Sequence, residues 1–155
     1  MIKVEQHVEI RKPLDEVYRF VIVDHATNHP RWDPDVAHIE QLDPGDVAKG
    51  TRFRMGRRVM GRVQESTLEV TECEPPSRVV MVSESVAMNM RFLNAFAPLD
   101  SSGTRVTFAA DVDPHGPLKL MQPFLKEQFA KGLRRSLDNI RSLLESDASG
   151  ESAGA

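Results

Sequence analysis

The C-terminal third of the chain places apolar residues at steps of three and four: Leu118, Met121, Leu125, Phe129, Leu133, Leu137, Ile140 and Leu144. That spacing puts them on one face of a single long helix opening near Pro117. Upstream, the pattern alternates residue by residue, as strands with one buried face do. A helix with so wide an apolar stripe has to lie on something large, and the only large apolar surface available is a sheet built from those strands. The order of elements therefore predicts an α+β domain, a curved antiparallel sheet closed over a C-terminal helix. Such an arrangement tends to enclose a cavity, and cavities take small molecules.

The strands can be placed from their alternation and from turn chemistry. Val4, Gln6, Val8 and Ile10 alternate with charged neighbours, so Gln6 points inward with the apolar set. Lys12-Pro13 ends this strand, and Pro13 suits a first helical position for a short helix whose apolar face is Val17, Phe20 and Val21. A second short helix is predicted from His25 to Arg31, closed by Asp33-Pro34. Strands then follow at Val36 to Leu42, Thr51 to Val59, Arg62 to Cys73, Arg78 to Ser85, Met88 to Leu99 and Thr104 to Asp113, which makes seven with the first. Asp43-Pro44-Gly45-Asp46, Met60-Gly61, Pro75-Pro76-Ser77 and Asp100-Ser101-Ser102-Gly103 separate them. Pro123 is expected to bend the last helix or mark the true start of its long segment.

Composition narrows the class. A chain of 155 residues with 40% hydrophobic content supports one domain, predicted over residues 1–145. The remainder, 146–155, is small and polar and is expected to be disordered. A net charge of -3 and a pI near 6.0 give no basic footprint, so no nucleic-acid partner is expected. The one cysteine, Cys73, cannot form an internal disulfide, and no charged and then apolar leader opens the chain, which fits a reducing cytoplasm. No apolar run is long enough to span a membrane.

Several segments resemble the START-like (SRPBCC) superfamily, specifically its polyketide cyclase/dehydrase and lipid-transport family. They are Ile10-Arg11-Lys12-Pro13-Leu14-Asp15-Glu16-Val17, Asp24 followed by Pro30-Arg31-Trp32-Asp33-Pro34, and Gly50-Thr51-Arg52-Phe53. Glu69-Val70-Thr71-Glu72 before Pro75-Pro76, Gly103-Thr104-Arg105-Val106-Thr107 and a final helix ending Leu143-Leu144-Glu145 complete the set. The resemblance covers residues 2–145. It implies a helix-grip fold, a seven-stranded sheet wrapped round the long helix, with two short helices after the first strand and an internal pocket for an apolar or amphipathic ligand. It carries no shared catalytic motif, so no catalytic residue is assigned, and it implies no cofactor.

Strand parity names the candidate lining. Phe53, Met55, Arg57 and Val59 share a face in the third strand; Arg62, Gln64, Ser66, Leu68 and Val70 do so in the fourth. Met88, Met90, Phe92, Asn94 and Phe96 do so in the sixth, and Val106, Phe108, Ala110 and Val112 in the seventh. The fifth is ambiguous, because Val79, Val80, Met81 and Val82 leave no polar side. The expected apolar wall is Phe53, Met55, Leu68, Met88, Met90, Phe92, Phe96, Phe108, Met121, Leu125 and Phe129, with Trp32 under the second helix beside the mouth. Arg57, Gln64 and Asn94 would orient a polar group, since inward polar atoms need partners; Glu65, Glu84 and water are alternative partners for them. The basic run Arg52, Arg54, Arg57, Arg58 and Arg62 reads as a solvated hairpin, or else as a rim for an anionic ligand or acidic partner. His25 and His29 stand four apart near Asp33, but no third ligand at a fixed offset is evident, so they read as exposed helix-end histidines and no metal is expected.

Three functions fit these residues. The first is a monomeric or weakly dimeric binding protein that carries or sequesters a hydrophobic molecule, such as a lipid, polyketide or isoprenoid-like compound. The second is a cyclase or dehydratase, acting without a cofactor, that stabilises an enolate with Arg57 or Arg62. The third is a protein-interaction module resembling the Hsp90-activator branch, using the outer sheet face or the basic hairpin.

Overall fold

The computed structural model describes the backbone of residues 1–59, 61–100 and 102–154, and side chains through residue 146 within those limits. The turn assignments at Met60 and Ser101 lie outside the described residues. Strand β1 (Ile2–Ile10) leads to helix α1 (Leu14–Tyr18), a π-helical turn (Arg19–Val23) and helix α2 (His25–Trp32). Six strands follow: β2 (Val36–Gln41), β3 (Arg52–Val59), β4 (Arg62–Glu74), β5 (Arg78–Glu84), β6 (Met88–Pro98) and β7 (Thr104–Pro114). A 3-10 turn (Gly116–Met121) precedes helix α3 (Gln122–Gly154). The stripe beginning near Pro117 is thus split, and Pro123 sits in the first turn of α3, where a missing N–H costs nothing. Helical backbone continues past residue 146, beyond the predicted end of the domain.

All seven strands form one antiparallel sheet in the order β1-β7-β6-β5-β4-β3-β2. From β2 to β7 every neighbour is a hairpin neighbour, and β1 returns to pair with β7 from Ile2 opposite Val112 to Ile10 opposite Thr104. Register settles the fifth strand. Val79, Met81 and Ser83 pair with Asn94, Phe92 and Met90 and share the concave face. Val80 is on the convex side yet fully buried. Glu72 stands opposite it and holds both Arg78 (2.9 Å) and Arg91 (3.1 Å), so the aliphatic stems of these side chains roof Val80. A central strand covered on both sides carries no alternation, which is why its sequence was ambiguous.

Helix α3 packs mainly against β1 and also against β7 on the concave side. Arg134 donates twice to the His7 carbonyl (3.2 and 2.9 Å), which occupies a backbone acceptor on the β1 edge. Burial along α3 is uneven. Leu137, Ile140 and Leu144 are buried in the main core with Val8, Ile10, Val106 and Phe96. Leu125, Phe129 and Leu133 are only half-buried, against a smaller cluster of Ile2, Val4, Ala110 and Val112. One half of the helix is buried in the main core and the other is only partly covered. Leu137→Ala is accordingly expected to lower the free energy of unfolding by about 2–5 kcal/mol, and Leu125→Ala by less than half of that, as read from urea denaturation midpoints.

Candidate functional site

The concave face carries two apolar zones. Phe53, Met55, Leu68, Phe96 and Phe108, all expected in the lining, are buried in the main core together with Trp32. Met88, Met90, Phe92, Leu125 and Phe129 gather round the smaller cluster instead and remain half-buried. Phe92 and Leu133 touch both zones. The half-buried belt opens at the end of the sheet where the β3–β4 and β5–β6 hairpins and the exit of β7 lie. Exposed apolar side chains collect at that same end: Val59, Val63, Val86, Leu120, Met121 and Phe124. Met121, expected in the wall, is therefore a rim residue, because the 3-10 turn holds it ahead of α3.

The polar candidates do not form the expected head-group site. Gln64 faces Arg57 across the β3–β4 pair but is exposed near the hairpin tip. Asn94 donates to the Val79 carbonyl of the adjacent strand at 3.4 Å. Arg57 is engaged by Asp33 at 2.7 Å and reaches Asp35 at 3.7 Å. Glu65, one of the partners considered for the inward groups, lies on the convex face and pairs with His38 at 2.9 Å. Gly56 stands between them, where a Cβ would collide with both side chains. Two more of the basic run are tied locally: Arg52 forks onto Asp43 (3.1 Å), and Arg58 donates to the Pro34 carbonyl (2.9 Å).

Helix α2 supplies what the sequence reading missed. His25, Asn28, His29 and Trp32 are all buried, a correction to the expectation of exposed histidines. Their offsets of three, four and seven mark one helical face, but polar residue types concealed it. His25 Nδ1 donates to the Val21 carbonyl at 2.9 Å, and Asn28 donates to the Phe20 carbonyl at 3.0 Å. The His25 and His29 ring centroids lie 4.5 Å apart, and His29 lies over Trp32 at 4.3 Å. The group rests on the concave face through His25–Phe53 (5.0 Å) and Trp32–Phe108 (5.8 Å). Asn139 donates to the Trp32 carbonyl (3.1 Å) and Arg135 to Asp35 (2.8 Å), so α3 locks this helix in place.

Electrostatics follow from burial. His25 is pushed down to about 3 by burial first and by its neighbour His29 second, against the Val21 hydrogen bond. His29 is lowered by burial, with Asp33 opposing and Arg57 assisting. Burial opposes the charge on Asp33, but His29 (3.7 Å away) and Arg57 outweigh it and hold its carboxyl well below the usual range. Among the described residues no group of three or more His, Cys, Asp and Glu is close enough to hold a metal ion. No helix among them is long and apolar enough to cross a membrane.

The family described as polyketide cyclase / dehydrase and lipid transport matches residues 1–145. The chain belongs to this family. Similar solved structures include a START superfamily protein from Mycobacterium smegmatis, at 15% identity and a TM-score of 0.78, with 94% of this chain and 99% of that one covered. The Zhui aromatase/cyclase from Streptomyces sp. R1128 matches at 15% identity and a TM-score of 0.77, covering 92% and 93%. The di-domain aromatase/cyclase BexL of the BE-7585A biosynthetic pathway matches at 19% identity and a TM-score of 0.75 over 94% of this chain; the chain spans 47% of BexL. These likenesses show the shared helix-grip fold. No curated protein matches significantly. In this member of the polyketide cyclase/dehydrase and lipid-transport family, the long α3 and the two short helices after β1 stand as the START-like fold requires.

The depressed histidines make stability depend on pH. The unfolded chain binds protons at both imidazoles near pH 6.5, whereas native His25 resists until about 3. Stability is therefore full above about pH 6.5 and falls on acidification, by at most about 1.4 kcal/mol per unit pH per histidine. Asp33 adds a second loss below about pH 4, as the unfolded carboxyl protonates before the native one. Urea midpoints measured from pH 7.5 to 4.5 should decline below 6.5 in the wild type and decline less steeply in His25→Gln. Asp33→Asn at pH 7 is expected to cost about 1–3 kcal/mol, the lower end reflecting the partial exposure of Arg57.

Proposed function

We propose that the protein binds an apolar or amphipathic small molecule between the first half of α3 and the concave sheet face, as a carrier or sequestering protein. The half-buried belt of Met88, Met90, Phe92, Leu125 and Phe129 carries this reading. A single-domain core ordinarily buries such residues fully, and here they lead to a rim of exposed Val86, Leu120 and Phe124. Unbranched methionine side chains in that belt adapt to guests of different shape. Affinity would come from apolar burial, at about 25 cal/mol per Å² before the ordering costs of association. Family membership supports the same class of ligand.

A second reading, the cyclase or dehydratase, draws on the Asp33–His29 couple, which supplies a buried carboxylate and imidazole where parity alone offered none. Arg57 serves this reading poorly as an electrophile, because Asp33 already neutralises it. The interaction-module reading is weakened in the same way, since Arg52, Arg57 and Arg58 are engaged within the protein.

Purification from the native host, organic extraction and mass spectrometry against a mock purification test the leading reading. A stoichiometric apolar compound is expected, and Met90→Trp, which fills the belt, should reduce its yield at least fivefold. An empty extract from the wild type would overturn the carrier reading.

A further inference from the structure

Three polar groups on the buried face of α2 have no hydrogen-bond partner among the described residues: His25 Nε2, His29 Nδ1 and Trp32 Nε1. Each leaves an uncompensated desolvation penalty of roughly 1–3 kcal/mol, and three such groups with ring centroids within 4.3 to 6.0 Å of each other form a matched set. Their chemistry is fixed by their other contacts. The Val21 carbonyl only accepts, so His25 Nδ1 carries the proton and Nε2 keeps a lone pair. The ionised Asp33 faces His29 Nε2, which draws the proton of that ring to Nε2 and leaves a lone pair on Nδ1. Trp32 Nε1 only donates. The cluster therefore presents two acceptors and one donor, and among the described residues the cation beside it, Arg57, is bound by Asp33.

Resting on the ligand-binding reading above, we infer that this cluster holds the polar end of the ligand, and that this end is a neutral hydroxyl, alcoholic or phenolic, rather than a carboxylate. A hydroxyl gives its proton to one imidazole and accepts from Trp32; a second hydroxyl on the same guest would satisfy the other imidazole. A carboxylate would face two lone pairs with one donor to offset them. A ketone or ether would use Trp32 alone and leave both imidazoles unsatisfied. The groups stand on the face of α2 that touches Phe53 and Phe108, so the hydroxyl end would lie deepest and the apolar body would extend toward the half-buried belt and its rim. Ser83, also buried, without a partner among the described residues and on the concave face of β5, is a further polar contact for a longer or doubly hydroxylated guest.

Three probes with the same apolar body separate the possibilities: 1-decanol, decyl methyl ether and decanoate, titrated into the full chain at neutral pH. Trp32 is the sole tryptophan, so its emission reports on the cluster directly, with calorimetry as a second readout. Decanol is expected to bind at least tenfold more tightly than the ether or decanoate, and to shift Trp32 emission. Removing both imidazoles, His25→Phe with His29→Phe, should bring decanol down to the level of the ether while leaving the ether within twofold. Equal binding of all three, as when the cluster holds only a water, overturns the hydroxyl inference and leaves the apolar site standing. Preference for decanoate also overturns it. Absence of binding by every probe overturns both. If the double variant does not fold, by circular dichroism, the wild-type ranking of the three probes decides alone.

Discussion

The three buried side chains Leu137, Ile140 and Leu144 fasten the second half of α3 to the core, and almost everything else about the molecule depends on that one-sided attachment. Burying three large aliphatic side chains supplies on the order of 5–9 kcal/mol of transfer free energy, enough to fix the direction of the helix from one end. The first half is covered less completely, with Leu125, Phe129 and Leu133 only partly buried against the smaller cluster. Leu125 and Phe129 are held by the smaller cluster around Val4 and Val112 and keep part of their surface in contact with solvent. Had the helix been clamped evenly, the same residues would make an ordinary closed core. The sheet contributes its curvature, and exposed apolar side chains gather at the hairpin end.

A second anchor sets the opposite wall. Asp33 accepts from Arg57 of β3, Asp35 accepts from Arg135 of α3, and Asn139 donates to the last carbonyl of α2. Strand, short helix and long helix thus meet in one polar junction, and that junction presses His25, His29 and Trp32 against Phe53 and Phe108. Placing neutral imidazoles in such surroundings costs stability in acid, and a protein that tolerates the cost retains polar groups at the base of an otherwise apolar interior. The junction thus leaves a few fixed polar atoms facing an apolar interior.

Much of the fold was legible because each strand edge coincides with a turn signal and because alternation is strong on β1, β6 and β7; strand limits agree to within a residue. Alternation failed on β5, where the Glu72–Arg78–Arg91 group covers the convex side and removes the need for a polar face. The apolar wall could be named from parity, but its division into a closed zone and an open belt depends on how far α3 stands from the sheet, and no periodicity encodes that distance. Arg57 reads from sequence as an inward charge in need of a partner, because Asp33 lies 24 residues away. The histidines of α2 were misjudged for a related reason. Their spacing marked a buried face, but polarity argued for exposure, and only the packing of α3 across α2 resolves the conflict.

Selective labelling of the methionine methyl groups with carbon-13 would test the central claim most directly. Met88 and Met90 line the half-buried belt, Met55 is packed in the closed core, and Met1 is exposed at the chain start. Titration of the labelled protein with 1-decanol should give saturable shifts at Met88 and Met90, smaller ones at Met55 and none at Met1. Shifts confined to Met1, or none at the belt while the probe binds, would contradict an interior site between α3 and the sheet.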